Sequence, residues 1–219
     1  MYRSPLDKDL ETINSKLVRL GTLVEQAITL GIEALIKKDK DLAEAVIAGD
    51  LEINRLTQTI ESEALKTLLR RQPVASDLRE ISTMLKMVTD LERIGDQARD
   101  ISSIVLHLCD EEYQTKLADI TLMSITTRKM VKSCIDSFVG RDINLANKVI
   151  ETDNEVDNQF AIIKENMIQL ICKQPDYADQ AIYLMMVAKY LEKIGDHAEN
   201  IAEWVIFCKT GERKNTKLL

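Results

Sequence analysis

An eleven-residue phrase occurs twice in this chain, one hundred positions apart, and that repetition limits the fold more than any other feature. Leu91-Glu92-Arg93-Ile94-Gly95-Asp96-Gln97-Ala98-Arg99-Asp100-Ile101 returns as Leu191-Glu192-Lys193-Ile194-Gly195-Asp196-His197-Ala198-Glu199-Asn200-Ile201. At about 100° of rotation per residue, Leu91, Ile94, Ala98 and Ile101 line one face of a helix, and the second copy keeps the same face. The correspondence reaches further back. Asp39-Lys40-Asp41-Leu42-Ala43-Glu44-Ala45-Val46-Ile47 lies over Asp142-Ile143-Asn144-Leu145-Ala146-Asn147-Lys148-Val149-Ile150, and Asp50-Leu51-Glu52-Ile53-Asn54 over Asp153-Asn154-Glu155-Val156-Asp157. A proline, Pro73 or Pro175, stands before each third segment. A repeat this long means a duplicated domain, not a short-period solenoid.

The rest of the pattern is helical. Leu10, Ile13, Leu17, Leu20, Val24, Ala27, Ile28, Ala34 and Leu35 recur at helical spacing between Leu6 and Lys37. A second segment runs from Asp39 to about Arg70 and ends at Gln72-Pro73, because the residue before proline avoids the α region. A third runs from about Ala75 to Leu108. After a polar break at Cys109 to Tyr113, helices are expected over about Thr115 to Gly140, Asp142 to Cys172 and Asp176 to Lys209, with the last residues frayed. Only 7 Gly and 3 Pro are present, and no strand-like alternation occurs. The reading is all-α: two tandem, homologous, antiparallel three-helix bundles, residues 1–110 and 111–219. Each rod of roughly 30 residues is about 45 Å long at 1.5 Å per residue, and short connections make neighbours antiparallel.

Hydrophobic residues make up 45% of the chain, enough for a core, and the net charge is −7, which disfavours nucleic acid and anionic membrane surfaces as partners. The basic clusters Arg70-Arg71 with Arg79, and Lys209, Arg213, Lys214 and Lys217, read as solubilising. Cys109, Cys134, Cys172 and Cys208 are far apart and form no C-x-x-C pair, as expected of reduced residues in the cytosol. No run approaches the 18 or so apolar residues of a membrane span, and the start lacks a signal-like apolar stretch, so a soluble intracellular protein is expected.

The repeated phrase carries an oddity. Glu92 and Asp96 stack at i, i+4 on a flank of the buried stripe, where like charges cost a few tenths of a kcal/mol. Gly95 costs about 1 kcal/mol against alanine in a helix. Both features recur in the second copy. Gly95 and Gly195 would let a neighbouring helix approach, and the carboxylates would face it ready to share a hard cation, which prefers oxygen ligands. The alternative is a solvated acidic flank neutralised by Arg93, Lys193 and Arg99. On the second helix of each half, Asp50 and Asn54, or Asp153 and Asp157, form a matching i, i+4 pair. Asp50 lies about 23 residues before Pro73 and Glu92 about 19 after it, so antiparallel rods bring them to similar heights. Two oxygen clusters follow: Asp50, Asn54, Glu92 and Asp96, then Asp153, Asp157, Glu192 and Asp196. Asp100 and Asn200, one turn further on, are possible additional ligands. Such sets suit magnesium, manganese, calcium or iron, and the absence of Cys and His partners disfavours structural zinc. Asn54 lowers the charge of the first cluster, so the second is expected to bind more tightly.

Enzyme readings find little. A ferritin-like di-iron centre needs Glu-x-x-His, and neither His107 nor His197 has a Glu three residues before it. No phosphate loop, Ser/His/Asp set or cysteine nucleophile signature is present. His107 reads as a surface residue, and His197 lies about 100° off the carboxylate stripe. Trp204, Tyr190 and Met185-Met186 read as core or partner contacts. A metal-dependent phosphohydrolase using paired carboxylates and a metal-free helical scaffold remain as alternatives.

With these residues in view the chain resembles the PhoU family, the phosphate-transport accessory regulators, from about Leu6 to Lys209. The resemblance is carried by Gln72-Pro73-Val74-Ala75-Ser76-Asp77-Leu78-Arg79 and by the two copies of the Glu-x-x-x-Asp helix. It implies two similar three-helix bundles whose acidic motifs bind metal clusters, iron or zinc in some members. It implies a non-enzymatic regulator that represses high-affinity phosphate uptake when phosphate is plentiful. Such a regulator connects the ATPase subunit of the phosphate ABC transporter to the phosphate-response histidine kinase. It further implies a cytoplasmic homodimer that meets the membrane only through partners. By position, Glu92, Asp96, Glu192 and Asp196 would be motif ligands, with Asp50, Asp153 and Asp157 their partners on the second helices. Asn54, and Asn200 in the place of Asp100, depart from the acidic pattern.

Overall fold

The same local device starts the second helix of each half. In the computed structural model, which describes residues 4–213 and 216–217, the first helix α1 (Pro5–Lys37) ends on Lys38 in the left-handed conformation, φ 56°. Asp39 then caps α2 (Lys40–Arg71) by accepting from the Leu42 amide at 2.9 Å. In the second half α4 (Ala118–Gly140) ends on left-handed Arg141, φ 51°. Asp142 caps α5 (Ile143–Lys173), accepting from the amides of Asn144 at 2.9 Å and Leu145 at 3.1 Å. A left-handed non-glycine residue costs roughly 1–2 kcal/mol, and a good N-cap is worth about 1 kcal/mol. The caps offset most of the cost of turning the chain within two residues. Turns this short force α2 back along α1 and α5 back along α4.

The third helices are α3 (Ser76–Leu108) and α6 (Ala178–Thr210). Before α6 the chain makes a short 3-10 turn, Pro175–Tyr177, so α6 begins two residues later than the sequence suggests. Helix α4 begins at Ala118 rather than near Thr115. There the Gln114 amide donates to Gln180 of α6 at 2.8 Å, which holds the preceding segment in a non-helical path. The connection between the halves is further pinned by Tyr113, whose hydroxyl donates to the Leu35 carbonyl at 2.7 Å.

Directions follow from the contacts. Asp9 meets Arg71 and Arg19 meets Glu52, Asp50 meets Arg99 and Ile53 meets Gly95, Asp119 meets Asn166 and Thr126 meets Gln159, and Val156 meets Gly195 and Phe160 meets Lys189, so successive helices are antiparallel within each half. Helix α3 also runs antiparallel to α6. Arg79 reaches the Cys208 carbonyl, Thr83 the Trp204 carbonyl, Asp90 reaches His197, and the rings of His107 and Tyr183 stack at 5.1 Å. The two halves share one apolar core in which Met84, Met87, Val88, Leu91, Leu184, Val187, Ala188 and Leu191 are fully buried. Helix α1 also touches α4, where Ile135 packs against Gly21 and Arg128 reaches Thr29.

The tail departs from the frayed end expected of it. Among the described residues, a short antiparallel pair joins β1 (Glu212–Arg213) to β2 (Thr216–Lys217). Gly211 in the left-handed conformation, φ 80°, allows the turn off α6. Arg213 then lies 4.1 Å from the Trp204 ring centre and donates to Glu203 at 2.9 Å and Asn200 at 3.2 Å. Stacking and a charge-assisted bond together outweigh the entropy of a loose end. Lys214 lies outside the described residues, and so does the side chain of Lys217. Among the described residues no helix is long and apolar enough to cross a membrane. The cysteines are unbonded to one another.

Candidate functional site

Gly95 and Gly195 lie where the third helix of each half packs directly against the second. A Cβ on Gly95 would stand 3.1 Å from Ile53 Cγ2 and 3.8 Å from Asp50 Oδ1. One on Gly195 would stand 2.9 Å from Asp153 Oδ1 and 3.3 Å from Val156 Cγ1. In the second half the missing methyl is thus what lets Asp153 lie against α6, whereas in the first it makes room chiefly for Ile53 and leaves Asp50 in ordinary contact. In both halves the inner oxygen, Asp50 Oδ1 or Asp153 Oδ1, is shut off from water and hydrogen-bonded to no protein group. A buried acceptor without a donor costs about 1–3 kcal/mol, more when charged. The same unsatisfied oxygen at equivalent places in two halves fits a shared cation. Among the described residues, however, no three His, Cys, Asp or Glu groups converge closely enough to hold an ion, so these are neighbouring carboxylates rather than closed coordination shells.

Around the oxygens the two clusters differ. In the first, Asp50 is only 7% exposed. Its Oδ2 accepts from Asn54 Nδ2 at 2.8 Å and from Arg99 Nη1 at 3.2 Å. The same Nη1 donates to Asp96 Oδ1 at 2.9 Å, and Nη2 to Asp100 Oδ1 at 3.1 Å. Arg93 approaches the other Asp96 oxygen at 3.6 Å. Burial works against the Arg99 charge, but Asp100, Asp96 and Asp50 outweigh it and the guanidinium is held charged more firmly than usual. Glu92 is pushed up from the usual carboxylate range by burial first, then by Asp96 and Glu61.

In the second cluster the residue corresponding to Arg99 is Glu199. Asp153 carries the consequence: burial, then the charges of Glu199, Asp157, Asp196 and Glu192, push its carboxyl up to about 7. Asp157, the counterpart of Asn54, is exposed. The basic groups here are Lys189, 2.6 Å from Glu192 Oε2 as an ion pair without hydrogen-bond alignment, and Lys193, which bonds Asp196 and lies 3.4 Å from Glu192. Both lysines pair with carboxylates of their own helix. Asn200 is engaged with Arg213, away from the cluster, whereas Asp100 joins the first cluster through Arg99.

Three residues of these clusters lie beyond the candidate ligands of the sequence: Glu199, Glu61 and Lys189. The first was findable, since 92, 96 and 99 continue one helical stripe at i, i+4, i+7, and so do 192, 196 and 199. The polar joint of His197 Nδ1 with Asp90 Oδ1 at 2.9 Å depends on how the halves dock, which periodicity does not encode.

Comparison with known proteins agrees with the duplicated architecture. The PhoU domain profile matches twice, at residues 17–105 and 120–205. The phosphate-specific transport system accessory protein PhoU homolog of Clostridium acetobutylicum is 34% identical over 214 residues, 97% of this chain and 98% of that one. The crystal structure of PhoU from Pseudomonas aeruginosa superposes with a TM-score of 0.91 at 34% identity, covering 94% of this chain and 99% of that one. That of the phosphate transport system regulatory protein PhoU from Streptococcus pneumoniae gives a TM-score of 0.87 at 26% identity, covering 95% and 98%. With two profile matches, one per half, and relatives covered over nearly their whole length, the chain belongs to the PhoU family.

Proposed function

We propose that this chain is a non-enzymatic regulator of high-affinity phosphate uptake, acting by docking onto other proteins. The observation that carries the reading is the full-length likeness of both halves to proteins named as accessory or regulatory in phosphate transport. Its partners are the ATPase subunit of the phosphate ABC transporter and the phosphate-response histidine kinase, engaged when phosphate is plentiful. It works in the cytoplasm as a homodimer and meets the membrane through those partners. A rigid helical body of this kind offers docking faces. Leu65, Leu69 and Val74 near the α2–α3 turn are 53%, 80% and 73% exposed, a cluster of apolar side chains that binding would cover. The net charge of −7 disfavours an acidic partner surface.

Iron, zinc, manganese or magnesium would be held by Asp153, Asp157, Glu192 and Asp196, where an oxygen donor set and the unsatisfied Asp153 Oδ1 fit a hard cation. A bound ion would supply positive charge between α5 and α6 and fix their spacing, a structural role. Gly195 leaves room for Asp153 to lie against α6.

The test is affinity capture of the tagged full chain from phosphate-replete cells, together with phosphate uptake in a deletion strain. Recovery of transporter ATPase or kinase, and uptake that stays high in rich phosphate after deletion, are the expected results. Capture of neither, with normal repression in the deletion strain, would sink the reading. Turnover of a phosphorylated substrate with added manganese, lost on Glu192→Gln with Asp196→Asn, would favour the phosphohydrolase instead.

A further inference from the structure

We propose that the face where α4 lies between α1 and α5 binds a second copy of this chain, a reading that rests on the homodimer proposed above and gives it a surface. Four apolar side chains stand out of this face: Ile36 of α1, Leu122 and Ile125 of α4 and Ile162 of α5, each between 47% and 55% exposed. Ile36 and Ile125 line a cleft between α1 and α4, with the buried Ile28 and Ile32 at its base. Leu122 stands one turn before Ile125 on the same side of α4. The bonds of Asp119 to Asn166 and of Thr126 to Gln159 fix the register of α4 on α5, and that register brings Ile162 beside Leu122. The four side chains thus form one apolar stripe across three helices.

The duplication shows that the scaffold does not require this stripe. The caps Asp39 and Asp142 set equivalent positions of the two halves 103 residues apart, and the contact of Lys16 with Glu63 recurs at that spacing as Asp119 with Asn166. Leu122, Ile125 and Ile162 then correspond to Arg19, Thr22 and Thr59, all exposed. Arg19 pairs with Glu52, and the two threonine hydroxyls donate to carbonyls of their own helices. The same helices pack with polar side chains in these places. The apolar set of the second half is therefore spare to the fold, and a contiguous exposed apolar patch of this kind fits burial against a partner.

Charge selects which partner. A net charge of −7 holds copies of this chain apart, so they meet most easily where negative charge is already answered. Beside the stripe Glu33 is paired with Lys37 and Asp136 with Lys132, while Lys129, one turn beyond Ile125, offsets Glu165, one turn beyond Ile162. Arg128 lines the cleft and donates to the Thr29 hydroxyl at 3.0 Å. Asp119 accepts from the Asn166 amide at 3.1 Å. Among the described residues neither is held in an ion pair. The two lie equally far from the midpoint of Leu122 and Ile125, Asp119 on the α5 side of α4 and Arg128 on the α1 side. A two-fold axis through that midpoint, crossing the α4 helices at a wide angle, packs Leu122 of each copy on Ile125 of the other. It also sets Asp119 of each copy against Arg128 of the other, and each contact occurs twice.

Sedimentation velocity of the full chain over a concentration series measures the dimer, with circular dichroism confirming the fold of each variant. Carrying the first-half residues into the second, as Leu122→Arg with Ile125→Thr and Ile162→Thr, should weaken dimerisation roughly a hundredfold. Arg128→Glu should weaken it roughly tenfold, and adding Asp119→Arg should bring it back. A triple variant that stays as dimeric as wild type overturns this face and leaves the homodimer standing. A monomeric wild type overturns both, and the regulator reading is then decided separately by phosphate uptake in the deletion strain. Loss of the dimer in the triple variant without recovery in the charge swap overturns the crossed packing and the proposal with it. If the triple variant does not fold, Leu122→Arg alone decides by the same outcomes.

Discussion

The two halves repeat the same backbone path, the same aspartate caps at Asp39 and Asp142 and the same glycine contact, yet their acidic clusters are balanced differently. In the first, one arginine on α3 gathers Asp50, Asp96 and Asp100. In the second, a glutamate stands at that position and Asp153 is left so crowded by negative charge that its carboxyl is pushed up to about 7. Duplication preserved the scaffold and let the electrostatics diverge. Packing of α2 on α3 and of α5 on α6 depends on a glycine and an apolar stripe, where shape is constrained. The charge at the next turn is free to change sign.

The largest effect expected from breaking this comparison is at Arg99. Removing one partner of a buried ion pair costs about 3–5 kcal/mol. Arg99 is about a third exposed and Asp50 much less so, which lowers the expected loss for Arg99→Leu to about 2 kcal/mol. Glu199→Gln should do the reverse, raising stability by a few tenths of a kcal/mol by relieving repulsion on Asp153. Urea denaturation with chelator present measures both. Equal losses at the two positions would mean that the halves are electrostatically alike after all.

Next in size is a dependence on pH that belongs to the second half. Asp153 is half-buried, and its carboxyl is raised from about 3.9 in the unfolded chain to about 7 in the folded one. A raised acid holds its proton better when folded, so its contribution to stability is fully present below pH ~4 and is lost as pH rises through about 7. Solvent screening limits the effect to about 1 kcal/mol. In metal-free protein the difference in stability between wild type and Asp153→Asn should therefore shift against wild type between pH 5 and pH 8. Saturating Mn2+ should remove that shift. A difference that stays flat over this range would mean that Asp153 is ionised throughout.

Much of this architecture can be read from the chain before any coordinates. The caps, the two prolines and the apolar spacing place the helix ends within a residue or two, except where a distant partner intervenes. Gln114 is one such place, since its amide is held by Gln180 and α4 starts later than its own sequence suggests. Arg213 is another: its stacking on Trp204 holds the start of β1 against α6. The candidate residues are legible because i, i+4 spacing puts two carboxylates on one face and antiparallel rods bring the pairs of α2 and α3 near each other, although Asp50 lies beside Gly95 and Arg99, further along α3 than the expected height of Glu92. What spacing does not reveal is the hand-off across helices. Arg99 reads as one neutralising neighbour among several, and only the close approach of α2 at Gly95 shows that it reaches Asp50. The docking of α3 on α6 is equally hidden, because Asp90 and His197 are polar positions that no apolar stripe would pair.

The smallest predicted effect isolates the close approach itself. Glycine within a helix costs about 0.5–1 kcal/mol relative to alanine, so any Gly→Ala change should stabilise unless the new methyl meets something. Gly49 is exposed on α2 with nothing within 4 Å of a built Cβ, and Gly49→Ala should raise stability by about 0.5–1 kcal/mol. At Gly195 the same methyl would stand 2.9 Å from Asp153 Oδ1 and 3.3 Å from Val156 Cγ1. The aspartate must swing outward or α5 must retreat, and the helix gain should be cancelled. An outward swing moves Asp153 towards water and away from the burial that dominates its raised pKa. Gly195→Ala should then flatten the pH dependence much as Asp153→Asn does, with little change in stability at neutral pH. At Gly95 the nearest atoms are Ile53 Cγ2 and Cδ1, at 3.1 and 3.2 Å, and a rotation of that side chain can absorb them while Arg99 keeps its hold on Asp50. Gly95→Ala should leave the pH profile unchanged. If the two alanine variants gave the same profile, the close approach would be a packing feature alone, with no part in setting the charge state of the carboxylate beside it.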